Sequence, residues 1–177
     1  EMQAIVTEAH RKGIKVAAHA HGTEGIKAAI EAGVDSIEHA SFLDNDTIKL
    51  AKQKGTFLTM DIFVTDYILA ESLKNGALAE SIEKEKVTGK RQRDSFNRAI
   101  KQGVKIAFGT DAAIFPHGMN AKQFRTMTQF GMTPLQAIQA ATTVSARLIA
   151  QENQLGQIKE EFLADIIGVK HNPLEHI

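Results

Sequence analysis

The sequence predicts an α/β fold built on parallel strands, and three observations carry that expectation. Short apolar runs follow directly on glycine-terminated helical patterns, the helix–strand unit recurs along the chain, and each recurrence ends in a histidine or an aspartate. Repeated units of this kind with short connections imply parallel strands joined by right-handed crossovers. The C-terminal ends of such strands lie on one side, where ligands and chemistry gather.

The elements follow in order. Apolar residues at Met2, Ile5, Val6 and Ala9 predict an amphipathic helix from Met2 to Arg11 that stops at Gly13. Ile14 to Ala20 reads as the first strand. In KVAAHAHG a period of two puts Ala17, His19 and His21 on one face. Thr23 is a candidate cap for a second helix, with Ile26, Ala29 and Ile30 on one side and Gly33 past its end. VDSIEHA is a short strand ending in His39. Asp44 caps a third helix that carries Ile48, Leu50 and Ala51 and stops at Gly55, and TFLTMDIFV follows. The longest helical region runs from about Asp66 to Lys101, with a break near Asn75-Gly76 and a second candidate break at Gly89. Gly103 ends it, and VKIAFGTDA is the fourth strand.

Beyond a loop containing Pro116, His117 and Gly118, a short helix spans Ala121 to Phe130. Thr133-Pro134-Leu135-Gln136 combines an N-cap, a proline at the first helical position and a glutamine three residues after the cap. Leu135, Ile138, Ala141, Ser145 and Leu148 then line one helix face. The remainder has turn signals and β-like runs at Gln157-Ile158 and Asp165 to Val169, and reads as a strand-rich appendage. The division is therefore residues 1–152 and 153–177.

Laid side by side, the units share a frame: Gly13 to His19, Gly33 to His39, Gly55 to Asp61 and Gly103 to Asp111. The first three have the same offset of six residues. His19, His39 and Asp111 are accordingly expected to converge. Together they supply nitrogen and oxygen ligands on a rigid scaffold, as a hydrolytic metal site requires. An aspartate beside such a site can also take a proton from water and deliver it to a leaving group. The alternatives at each position are a histidine bonded to backbone at a strand end and a turn aspartate in GTDA.

Composition narrows the classes. At 43% hydrophobic and 24% charged, the chain has what a globular domain needs to bury a core. Its 21 basic and 21 acidic residues balance, so neither nucleic acid nor an anionic membrane is an expected partner. It has no cysteine, which excludes disulfides and thiolate metal sites. No apolar segment approaches the length of a membrane span. The chain opens at Glu1 inside a helical pattern, so upstream sequence is expected and localisation stays open.

The motifs also carry a resemblance. AHAHG after a glycine-terminated helix, SIEHAS one unit on, GTDA with its PHG loop, the TPLQAIQAATTVSARLI helix and the ADIIGV tail resemble the C-terminal part of the amidohydrolase superfamily. The similarity is greatest to prolidase-like and imidazolonepropionase-like metal-dependent hydrolases. It implies that the chain is the C-terminal half, strands five to eight, of a (β/α)8 TIM barrel, with a short strand-rich tail from a small β-sandwich. It further implies His19 as a metal ligand, His39 as a metal ligand or a nearby catalytic histidine, and Asp111 as ligand and proton shuttle. His21 and His117 take substrate-facing positions, and the cofactor is a divalent metal, zinc first. Asp61 matches no ligand position and reads as structural or substrate-facing; His10, His171 and His176 read as surface residues.

The family's paired histidines on the first strand and its strand-four lysine have no counterpart here. About 250 residues are typical of the complete barrel. Half-barrels that associate, or a missing N-terminal half, are the expected partners, together with a small peptide-like or cyclic amide substrate. The function this implies is metal-dependent hydrolysis of a C–N bond, with a prolidase-like dipeptidase favoured. The alternative is a truncated, non-catalytic half-barrel that binds metal weakly or only assembles with a partner.

Overall fold

The structure, a computed structural model, describes residues 1–177 apart from the side chains of residues 73 and 75. Four short strands, β1 (Ala17–Ala20), β2 (Ser36–His39), β3 (Phe57–Thr59) and β4 (Ile106–Ala107), form one sheet in sequence order. Every pairing is parallel, with His19 opposite Glu38 and Ala20 opposite His39. Helix α1 (Met2–Arg11) precedes β1, and α2 (Thr23–Ala32), α3 (Asn45–Lys54), α4 (Val64–Asn75) and α5 (Ala79–Gln102) fill the connections between strands. After β4 come α6 (Lys122–Gln129), α7 (Pro134–Gln139) and α8 (Ser145–Leu148).

Local chemistry explains these boundaries. Gly33, Gly55 and Gly103 end α2, α3 and α5 with φ of 93°, 73° and 72°, a left-handed conformation that costs a glycine least. Asp44 caps α3 through the Thr47 amide at 2.7 Å, and Thr133 with Gln136 forms a reciprocal capping box at the start of α7. Asp35 orders the start of β1 and β2. Its carboxylate accepts from the Val16 amide, Lys15 Nζ and His10 Nε2 at 2.7–2.8 Å, tying α1 to the sheet. His10 is thus a surface residue with a structural partner.

Several expectations need correction. The first strand begins at Ala17 rather than Ile14, because the Ile14 amide closes α1 by bonding the Ala9 carbonyl at 2.9 Å. Thr23 does not cap α2. Gly22 holds the cap position, and the Thr23 hydroxyl donates instead to the Phe42 carbonyl in the next β–α loop. The break at Gly76 is present, but α5 runs unbroken through Gly89. Gly89 is there for space: a Cβ would lie 2.8 Å from the Thr65 Cβ and closer still to its Oγ1 and Cγ2.

The helix after Thr133 contains a π turn over Ala140–Val144, which rotates the later positions. Its buried residues are Ala137, Ala140 and Ala146, whereas Leu135 is 51% exposed. Among the described residues, none of 153–177 forms a strand; Ile158 and Ile167 are 88% and 85% exposed. A β-like run becomes a strand only when a neighbour pairs with it, and the tail meets none.

One face of the sheet is packed. Ile26, Ile30, Ile37, Ile48, Leu58, Met60, Phe96 and Ala99 are all fully buried between strands and helices. The other face carries Ala17, His19, Glu38, Phe57 and Thr59, with Ala17 and His19 exposed and the others half-buried. No described helix is long and apolar enough to cross a membrane.

Gly89→Ala gives a test of the α4–α5 contact. In an ordinary helix interior the change would add about 1 kcal/mol of stability; here the collision with Thr65 is expected to cost about 1–3 kcal/mol instead. Urea unfolding would measure the loss, and Thr65→Ala in the same chain, which removes Oγ1 and Cγ2 but keeps the Cβ, should recover part of it.

Candidate metal centre

Because the strands are parallel, the residues at their C-terminal ends meet. The rings of His19 and His39 are 4.4 Å apart, His19 and His21 4.9 Å, and His21 and His39 4.6 Å with planes inclined by only 14°. Ligand atoms of His19, His21 and His39 all lie within 4.8 Å of one another, and so do those of His39, Asp61 and Asp111. His39 belongs to both groups and is the centre of the cluster. A cleft of about 330 Å³ opens over it, walled further by Val64, Ile68 and Ile114 and by Thr65, Glu85 and Thr88.

Backbone conformation aims two of these side chains. His39 and Asp111 have φ of 69° and 49°, in the left-handed region that non-glycine residues seldom occupy. Residues held there cluster at functional sites, where surrounding contacts sustain the conformation. At His39 the next amide, Ala40, bonds the Ala20 carbonyl at 3.1 Å, so the strand ends and the chain turns.

Hydrogen bonds then orient the rings. His39 Nδ1 meets Asp61 Oδ1 at 3.0 Å, and His21 Nδ1 meets Ser41 Oγ at 2.8 Å. Each bond occupies one ring nitrogen and leaves Nε2 as the remaining donor atom, the arrangement by which a ligating histidine is usually held. Asp61 is 7% exposed. Burial alone would raise its carboxyl pKa, yet the hydrogen bond and charge of His39, helped by Gln92, hold it below the ordinary 3.8. The same hydrogen bond to Asp61 raises His39 above its ordinary 6.5, against burial. His21 moves the other way, lowered first by burial and then by the neighbouring His39 and His19.

Two buried glutamines fix the end of β3. Gln123, fully buried on α6, donates to the Met60 carbonyl at 2.7 Å and accepts from the Phe63 amide at 2.9 Å. Gln92 on α5 donates to Asp61 at 2.9 Å and to the His39 carbonyl at 3.1 Å. Neither has a sequence signal that marks it: both read as polar positions of a helix.

The chain therefore brings His19, His21, His39 and Asp111 together and adds Asp61, which in sequence shares the frame of the two histidines but matched no ligand position. His117 is not brought in. It is exposed in the loop after β4 and lines no part of the cleft. His171 and His176 sit in the tail with rings 5.7 Å apart.

The sequence profile of the amidohydrolase family matches residues 1–177, the whole chain. The chain belongs to the amidohydrolase family. It is 39% identical over 179 residues to an ochratoxinase of Aspergillus niger, covering all of this chain and 37% of that protein. Among solved structures, a Xaa-Pro dipeptidase with methionine bound in its active site superposes with a TM-score of 0.92 at 42% identity, over 99% of this chain and 44% of the dipeptidase. A prolidase-like structure from Bifidobacterium longum gives 0.91 at 27% identity, over 99% and 46%. The chain thus spans less than half the length of each of these amidohydrolase relatives.

The His39–Asp61 pair predicts a pH signature in metal-free protein. A histidine whose pKa is raised by folding stabilises fully below its unfolded value, near 6.5, and loses that contribution as pH rises through the folded value. A carboxyl lowered by folding stabilises above its unfolded value, near 3.8, and loses the contribution as pH falls through the folded value. The pair should therefore stabilise most between those limits. Asp61→Asn should flatten the difference in unfolding free energy between pH 5 and pH 8, read by chemical denaturation.

Proposed function

We propose that this chain forms the C-terminal half of the catalytic barrel of a metal-dependent hydrolase that cleaves C–N bonds in small amide or peptide substrates. Prolidase-like dipeptide hydrolysis is the favoured activity. The observation that carries the reading is the convergence of three imidazoles and two carboxylates at the C-terminal ends of parallel strands, beneath a cleft. Similarity to the Xaa-Pro dipeptidase supports a peptide substrate.

The donor set fits a divalent ion, zinc above all: two overlapping groups, His19–His21–His39 and His39–Asp61–Asp111, each have their ligand atoms within 4.8 Å, and two of the rings are oriented through Nδ1. His19, His39 and Asp111 would hold it. When bound, such an ion supplies Lewis acidity, polarising the scissile carbonyl and acidifying the attacking water.

The protein's own groups do the rest. The exposed carboxylate of Asp111 takes the water proton and returns it to the departing amine. Asp61 keeps the Nδ1 side of His39 occupied and so fixes the direction in which Nε2 points. His21, stacked on His39 and held by Ser41, faces the substrate. Val64, Ile68 and Ile114 exclude water from one wall and receive an apolar part of the substrate. His117 has no part in this arrangement.

The open sheet favours a further element of the reading. Four parallel strands cannot close, and the face carrying Ala17, His19 and Phe57 is incompletely covered. An N-terminal half-barrel, or a second copy, would cover it and complete the site, with the tail joining a small β-sandwich. Without that cover, the chain acts as an assembly module rather than a turnover unit.

Replacing His19 or His39 by Ala in the intact protein should remove most of the bound zinc while circular dichroism stays unchanged; elemental analysis decides. Asp111→Asn should lower kcat by about 10²–10⁴-fold with little change in KM on apolar dipeptides, because the proton transfer acts in the transition state. Equal losses in both parameters would assign Asp111 to substrate positioning.

A further inference from the structure

Gln92 is 5% exposed, and its amide nitrogen is shared between two acceptors at the heart of the cluster. One is Asp61 Oδ1 at 2.9 Å, the same oxygen that meets His39 Nδ1 at 3.0 Å. The other is the backbone carbonyl of His39 at 3.1 Å. A single amide thus ties the main chain of His39 to the carboxylate that grips its ring. From these contacts we infer that Gln92 is the positioning residue of the site, locking His39 in one orientation and one tautomer.

Hydrogen-bond polarity produces the lock. A primary amide nitrogen has two protons, and Gln92 directs one to each acceptor. Asp61 Oδ1, so engaged, cannot turn away from the ring, and it accepts from Nδ1–H. That sets the neutral His39 as the Nδ1–H tautomer with the Nε2 lone pair toward the cleft. The second proton supports the carbonyl of a residue at φ 69°, a conformation that persists only while its surroundings hold it.

The support is itself rigid. Gln92 lies on α5 between Gly89, where that helix presses against Thr65, and Phe96, fully buried in the core. A residue needed only to fill the space would be apolar, because burying an amide without partners costs more than burying a methylene chain.

This assignment rests on the reading of the cluster as a metal-dependent hydrolase centre, and the experiment separates the two. Gln92→Met keeps the volume and loses the donors. Gln92→Glu keeps the shape and turns an oxygen toward two acceptors, so it remains informative should the Met variant not fold. In the intact protein labelled with ¹⁵N-histidine, long-range proton–nitrogen spectra report which ring nitrogen of His39 is protonated, and titration calorimetry with zinc reports affinity.

The expected result is a single Nδ1–H tautomer in the parent protein and a mixture in both variants, with zinc affinity weaker by about tenfold to a hundredfold and circular dichroism unchanged. An unaltered His39 tautomer with unaltered zinc affinity in either folded variant would overturn the assignment. If the parent takes up no zinc while the tautomer still follows residue 92, the positioning role stands and the metal-centre reading falls.

Discussion

Parallel pairing of the four strands is the constraint on which the rest depends. Strands that all run one way deliver their last residues to the same side, so His19, His39, Asp61 and Asp111 meet although they are spread over half the chain. The helices that return the chain between strands bury the packed face through Ile26, Ile30, Ile37, Leu58 and Phe96. They leave the strand ends free to carry polar groups, and stability and chemistry thereby occupy different ends of the same elements.

Burial of polar groups follows from that division. Asp61 would be costly to bury alone, and it is held by His39 and Gln92. Gln123 would be equally costly, and it spends its amide on the backbone at the end of β3. These contacts tie the end of β3 to both α5 and α6. Asp111, beyond the end of β4, is exposed, as the proposed proton transfer requires.

The sequence reading and the structure agree where the information is local. The helix–glycine–strand frame and the caps at Asp44 and Thr133 are legible from spacing and turn chemistry, and so is the arrival of His19, His39 and Asp111 at one cleft. Asp61 stands in the same frame as the two histidines, but the resemblance assigns it no ligand position and leaves it structural or substrate-facing. The resemblance gives His117 a substrate-facing position, yet it lies exposed in the loop after β4 and lines no part of the cleft. The tail showed strand-like periodicity without any segment to pair with.

What the sequence by itself determined, then, is the kind and order of the elements and which residues end each strand, because periodicity and glycine termination act over a few residues. Tertiary structure alone decided how those ends are held. His39 meets Asp61 across 22 positions, Gln92 reaches the His39 carbonyl across 53, and Gln123 reaches Met60 across 63. A helical glutamine reads the same whether it faces water or a buried carboxylate; only packing α5 and α6 against the sheet distinguishes the two.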